Sequence, residues 1–172
     1  GSCTKQTTNA PSTIKENFQN NGDYKGGTGR VAFSGATSNT ITGSSTTAFG
    51  GGITMDKGVS TASILDVQSI ITLLAGGLTM TNGTFKLSSA STLTPFTADI
   101  VPSPYLIPAS AGFWVNGGTI SPFNTTWSVA GLLRVSAGTL NVGKSDGNWL
   151  APRAGAIIKM DGGNLNAASR RG

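Results

Sequence analysis

The residues able to do chemistry are few. The chain has no histidine, so neither a serine–histidine–aspartate nor a cysteine–histidine arrangement is available, and no histidine metal site. Glu16 is the only glutamate. Asp23, Asp56, Asp66, Asp99, Asp146 and Asp161 are spread singly. Hydrolysis of a glycosidic bond needs two carboxylates facing each other. Asp146 and Asp161 are close enough in sequence to approach across adjacent turns of a repeat, but Gly147 and Gly162 beside them mark each as a turn residue. Asp146-Gly147-Asn148 is too short for a calcium loop. The expectation is a non-enzymatic protein without metal or cofactor.

Aromatic residues offer the better lead. Trp114, Trp127 and Trp149 gather in the last third with Phe113 and Phe123, near Arg134, Lys144, Arg153 and Lys159. An exposed row of indoles stacks on sugar rings, and cations beside it pair with hydroxyls or carboxylates. Trp114, Trp127, Trp149, Arg134 and Arg153 are the candidate ligand-binding residues, for a surface glycan. The contrary expectation is that large aromatics pack inside. In a strand, Trp114 must point opposite to Phe113 and Val115, so a buried Phe113 puts Trp114 outside.

The elements that must position these residues come from one repeated unit. It is clearest at Ala130–Val142, A-G-L-L-R-V-S-A-G-T-L-N-V, and recurs at Ala75–Leu87, Ala111–Ile120 and Ala154–Leu165. A glycine opens an alternating run. A second glycine (Gly83, Gly118, Gly138, Gly163) precedes Thr84, Thr119, Thr139 or Asn164 and then an apolar residue. Alternation is the period of a half-buried strand, glycine permits the corner, and threonine restarts extended backbone. The first glycines, Gly76, Gly112, Gly131 and Gly155, are 36, 19 and 24 residues apart. Repeats of about 20–25 residues built from strands and corners alone predict an all-β fold, a right-handed parallel β-helix, that is, a β-solenoid. A β-sandwich is the alternative. Leu78, Met80, Phe85, Leu87, Val115, Ile120, Leu133, Val135, Leu140, Val142, Ile158, Met160 and Leu165 are expected to form one apolar stack.

The predicted organisation is a flexible segment at 1–12 and one solenoid domain at 13–172, starting with a strand over Thr13–Phe18. Pro95–Pro108 holds four of the seven prolines and reads as a loop insertion that lengthens the 36-residue step. Glycine accounts for 25 of 172 residues, suited to corners, and charged residues for 11%. The formal charge of +5 comes from scattered lysines and arginines, unlike the clusters of nucleic-acid binders. Ile64–Leu78 is the most apolar stretch but is too short and too interrupted to span a membrane. Cys3 cannot form an internal disulfide, and Gly1-Ser2 has the character of a cloning scar. The threonine pairs Thr40/Thr42, Thr79/Thr81 and Thr92/Thr94 fall at different phases of the repeat, against an ice-binding face. Asn82-Gly83-Thr84 and Asn124-Thr125-Thr126 match a glycosylation sequon by composition alone.

The run Gly27–Val59, G-T-G-R-V-A-F-S-G-A-T-S-N-T-I-T-G-S-S-T-T-A-F-G-G-G-I-T-M-D-K-G-V, resembles repeats in large secreted surface proteins of Bacteroidetes. Those read G-t-V-x-F-x-G-x-x-x-Q-x-I-x-G-s-x-x-t-x-F-x-x-L-x-I, followed by L-x-G-x-L-x-L-x-x-G, which Leu73–Leu87 and Leu132–Val142 echo. The resemblance covers about Phe18 to Leu165. Asn39 stands where glutamine is usual, and Gly51-Gly52 where an aromatic–asparagine pair is common. The resemblance implies a repetitive β fold, a secreted or cell-surface address and an adhesin-like or structural role, with no catalytic residue. It also implies a fragment of a longer chain, since the C-terminal sorting domain of such proteins is not in the sequence. The expected partners are surface glycans or further copies joined end to end at unpaired strand edges, as in a filament, and neither nucleic acid nor a membrane. Cleavage of a polysaccharide is the alternative activity.

Overall fold

The computed structural model describes residues 12–73, 76–88, 105–120, 126–142 and 149–167. Every regular element among them is a strand. In order these are β1 (Ser12–Ile14), β2 (Phe18–Gln19), β3 (Tyr24–Lys25), β4 (Val31–Ser34), β5 (Asn39–Thr42), β6 (Thr47–Phe49), β7 (Ile53–Asp56), β8 (Ile64–Val67) and β9 (Ile71–Leu73). Then come β10 (Leu78–Leu87), β11 (Tyr105–Ile107), β12 (Ala111–Ile120), β13 (Trp127–Val129), β14 (Leu132–Val142), β15 (Leu150–Pro152), β16 (Ile157–Met160) and β17 (Asn164–Ala167).

All pairings are parallel, and each joins a strand to its counterpart one coil later. Val31 pairs with Ile53, and Ile53 with Leu78, separations of 22 and 25 residues. One face is the ladder β1-β4-β7-β10, and a second is β2-β5-β8-β10-β12-β14-β16. A third is β3-β6-β9, and β11-β13-β15 forms another in the later coils. The protein is a β-solenoid. Parallel strands need a crossover between partners, and here the crossover is the rest of the coil. A β-sandwich, built from antiparallel pairs, is thereby excluded.

The register corrects the sequence alignment of the coils. Gly76 is not the counterpart of Gly112. Phe85 pairs with Phe113, Phe113 with Leu133 and Leu133 with Ile158, steps of 28, 20 and 25 residues. The unit Ala75–Leu87 wraps an earlier corner than its look-alikes: Leu78–Met80 lies on β7, while Thr84–Leu87 lies on β8 and β12. Gly83 pairs with Ala111, whereas Thr119, Thr139 and Asn164 stack on one another. The 36-residue step compared two different corners.

The proline-rich insertion is also shorter than expected. Residues 95–104 lie outside the described residues, and Tyr105–Ile107 is a ladder strand with Pro108 at its corner, accepting from the Ala111 amide at 2.9 Å. At the start, residues 1–11 lie outside the described residues and Ser12 already belongs to β1. The single strand expected over Thr13–Phe18 is two strands with a corner between them.

The core is a stack of like side chains, as parallel register requires. Leu65, Phe85, Phe113 and Leu133 form one column and Val67, Leu87, Val115 and Val135 the next, all buried. The Phe85 and Phe113 rings lie stacked at 6.0 Å. Both columns run out at β16. Ile158 is 38% exposed and Met160 48%, contrary to the continuous buried stack expected, while Leu165 packs against the core only in part. The reason is positional: β16 pairs with β14 alone, so its inward side chains are covered from one side.

Candidate functional site

The outer face of the long ladder is where charged and aromatic side chains meet. In β12, Phe113 and Val115 are buried, so the half-buried Trp114 points outward, as alternation requires. Register places Thr40, Asp66, Lys86, Trp114, Arg134 and Lys159 in one row across consecutive strands. Neighbouring rungs are about 4.8 Å apart. A long cation on the next rung therefore reaches the ring. Lys86 Nζ lies 4.6 Å from the Trp114 ring centroid, and the Arg134 guanidinium carbon lies 4.0 Å from it.

The indole and the two cations beside it each have a further partner. Trp114 Nε1 donates to Ser136 Oγ at 2.7 Å, Ser136 Oγ donates to Asn116 Oδ1 at 2.6 Å, and Asn116 Nδ2 donates to Ser88 Oγ at 3.3 Å. Lys86 Nζ pairs with Asp66 Oδ2 at 3.1 Å, and Gln68 Nε2 donates to the same oxygen at 3.1 Å. Arg134 Nε pairs with Asp161. The indole is clamped between cations that are themselves pinned by acids. This revises the expectation of a sugar-stacking platform at Trp114, because a pyranose ring would have to displace Lys86 or Arg134 to reach the π face. Because Lys86 and Arg134 are each paired with an acid, the net positive charge of the row rests on Lys159.

The other candidates do not join it. Trp127 is fully buried in β13, edge-on to Phe113 at 5.0 Å and to Tyr105 at 6.1 Å, with its Nε1 unpartnered inside. It is a core residue, not a ligand contact. Trp149 is half-buried just before β15, and its carbonyl accepts from the Trp127 amide at 3.0 Å. Arg153, just after β15, donates to Ser128 Oγ at 3.1 Å. With Tyr105, Leu106, Ser128 and Ala130 it lines a separate open cleft of about 390 Å³. Trp114 and Arg134 thus share one face, Arg153 belongs to another, and Trp127 lies inside.

Lys86 and Asp66 belong to the row, Ser136 and Asn116 hydrogen-bond beside it, and none of the four is a candidate site residue from sequence. A signal for them exists: Leu65-Asp66-Val67, Phe85-Lys86-Leu87, Phe113-Trp114-Val115, Leu133-Arg134-Val135 and Ile158-Lys159-Met160 are the same apolar–X–apolar triple. Aligning the coils on that triple recovers the register that the glycines obscure.

The carboxylates are engaged singly. Asp56 accepts from Asn82 Nδ2 at 2.7 Å, Asp66 holds Lys86, and Asp161 holds Arg134. Asp146 lies outside the described residues. Among the described residues no three metal-ligating side chains cluster. Compared with protein-family models, curated proteins and solved structures, the chain matches none.

Proposed function

We propose that this chain is a non-enzymatic, structural and adhesive segment of a secreted cell-surface protein, and that the outer row of the long ladder is its contact surface for acidic glycans. The observation that carries the reading is the succession Lys86, Trp114, Arg134, Lys159 on adjacent rungs. A parallel ladder repeats its outward groups at a fixed step, which suits a linear polymer carrying regularly spaced anions. The chain's formal charge of +5 favours the same sign of partner. The cell-surface address rests on the repeat resemblance at Gly27–Val59.

The test is retention on immobilised polysaccharides. Acidic polymers should retain the chain at low salt and release it as salt screens the row, and neutral ones should retain it weakly. Arg134→Ala combined with Lys159→Ala should release it earlier. Equal retention on neutral polymers, insensitive to salt, would remove the row from the account. Release of reducing ends would overturn the non-enzymatic part.

End-to-end self-association is the second reading. The exposed Ile157, Ile158 and Met160 on the last rung favour it, and concentration-dependent sedimentation tests it.

A further inference from the structure

Lys57 occupies an unusual place for a lysine. It follows Asp56 at the end of β7, where the coil turns toward β8, and its side chain is 0% exposed. Its Nζ donates to the Ser34 carbonyl at 3.2 Å and contacts Oδ1 of Asn39. Asn39 opens β5, one coil earlier, and is 4% exposed. Neither partner is charged. The next coil covers the lysine: its backbone amide donates to the Asn82 carbonyl at 3.0 Å, and a side-chain carbon on Gly83 would lie only 2.8 Å from its Cβ. Lys57 therefore cannot swing to solvent without unstacking a coil.

This arrangement changes what the amine is. Burial pushes the Lys57 pKa below its ordinary 10.5, and the charge of Glu16 opposes that only in part. A larger share of the amine is thus the neutral, nucleophilic form. It is held in contact with a carboxamide, away from water. Amines and carboxamides react slowly when free, but fixing the pair in contact removes the entropic cost of their encounter.

We infer that Lys57 and Asn39 join in an intramolecular isopeptide bond. Nζ attacks Cγ of Asn39, the new carbon–nitrogen bond forms, and the bond from Cγ to Nδ2 breaks. The amine's proton moves to the departing nitrogen, which leaves as ammonia. No oxidant, reductant or cofactor is consumed. The bond ties two neighbouring coils covalently across 18 residues of sequence, at a corner otherwise held by hydrogen bonds. It is independent of the glycan reading, since neither residue belongs to the outer row.

Intact mass spectrometry of the purified chain tests this, with a peptide map. The chain should weigh less than its sequence by one ammonia. Trypsin should fail to cut after Lys57, leaving residues 31–86 as one peptide whose backbone breaks between 39 and 57 release no separate fragments. A succinimide at Asn21-Gly22, Asn82-Gly83 or Asn116-Gly117 also loses ammonia, but it leaves Lys57 cleavable. Asn39→Ala and Lys57→Met should restore the full mass and, for the first, the cut, whether or not they fold as well. A wild-type chain of full mass, split by trypsin into 31–57 and 58–86, would overturn the inference.

Discussion

Tyr105 shows how one residue closes a gap between faces. The first arm of β10 pairs with β7 on one side, and the amide of Met80 donates to the Tyr105 hydroxyl at 3.1 Å. The tyrosine is 6% exposed, and burial pushes its pKa up, the Met80 hydrogen bond opposing only in part. Its folded pKa lies above its unfolded one. The stability it contributes is therefore complete below its ordinary 10.0 and is lost as pH rises beyond that, because the unfolded chain ionises first. Tyr105→Phe should cost about 1–3 kcal/mol near neutrality by leaving the Met80 amide unpaired. The deficit should shrink in alkali, where only the wild type declines. Urea melts at the two pH values check it, and a constant deficit would mean that the hydroxyl does not titrate as buried. A second residue-scale test concerns Trp114. A double-mutant cycle with Arg134 should give a coupling of about 0.5–1 kcal/mol that persists in salt. The Arg134–Asp161 pair has side chains 31% and 44% exposed, so its coupling should fade as salt is added.

At the scale of the element, alternation and corners were legible in the sequence and phase was not. Alternating runs separated by glycines specify short strands and corners, and their return at coil-length intervals favours a solenoid over the sandwich that the parallel register excludes. The phase failed for a physical reason: a glycine followed by threonine turns the corner at Gly83 and a different corner at Gly118 and Gly138, with the same local chemistry, and Gly163 before Asn164 turns that second corner too. Trp127 was misplaced for another reason. Trp127, Ser128 and Val129 are all buried, so alternation within that three-residue strand says nothing about which side faces out. Trp114 was legible because Phe113 and Val115 flank it. Stacking also predicts which glycines matter. Gly138 and Gly35 both have positive φ, +77° and +86°. A Cβ at Gly138 would lie 2.2 Å from the Gly118 carbonyl oxygen, while at Gly35 it would meet nothing within 4 Å. Gly35→Ala should cost about 1–2 kcal/mol from its backbone conformation alone. Gly138→Ala should cost clearly more, because the obstructing atom is backbone of the preceding coil. Equal losses in denaturant melts would show that the coils separate easily.

Across the whole molecule, coils contact only their neighbours, so stability is a sum of local and rung-to-rung contributions. Those contributions are uneven. The early coils hold an aromatic cluster in which Phe18, Tyr24, Phe33 and Phe49 lie within 5.2 to 6.1 Å of a partner ring. The middle coils bury Phe85, Phe113 and Trp127, whereas the last rung leaves Ile157, Ile158 and Met160 open. Removing a side chain costs its lost burial and the cavity left behind. Leu133→Ala, at 0% exposure, should therefore cost about 2–5 kcal/mol, and Ile158→Ala, one rung on in the same column, far less. The same gradient governs opening without mutation. Amide protons of β16 and β17 should exchange well before those of β8 and β10, through fraying of the end rung instead of global unfolding. Hydrogen exchange at low and high protein concentration separates two causes of protection. Slow exchange of β16 at high concentration only would mean that a second copy covers the open rung. Slow exchange at every concentration, equal to that of β8, would mean that the solenoid opens as one unit and that exposed apolar side chains do not weaken its end.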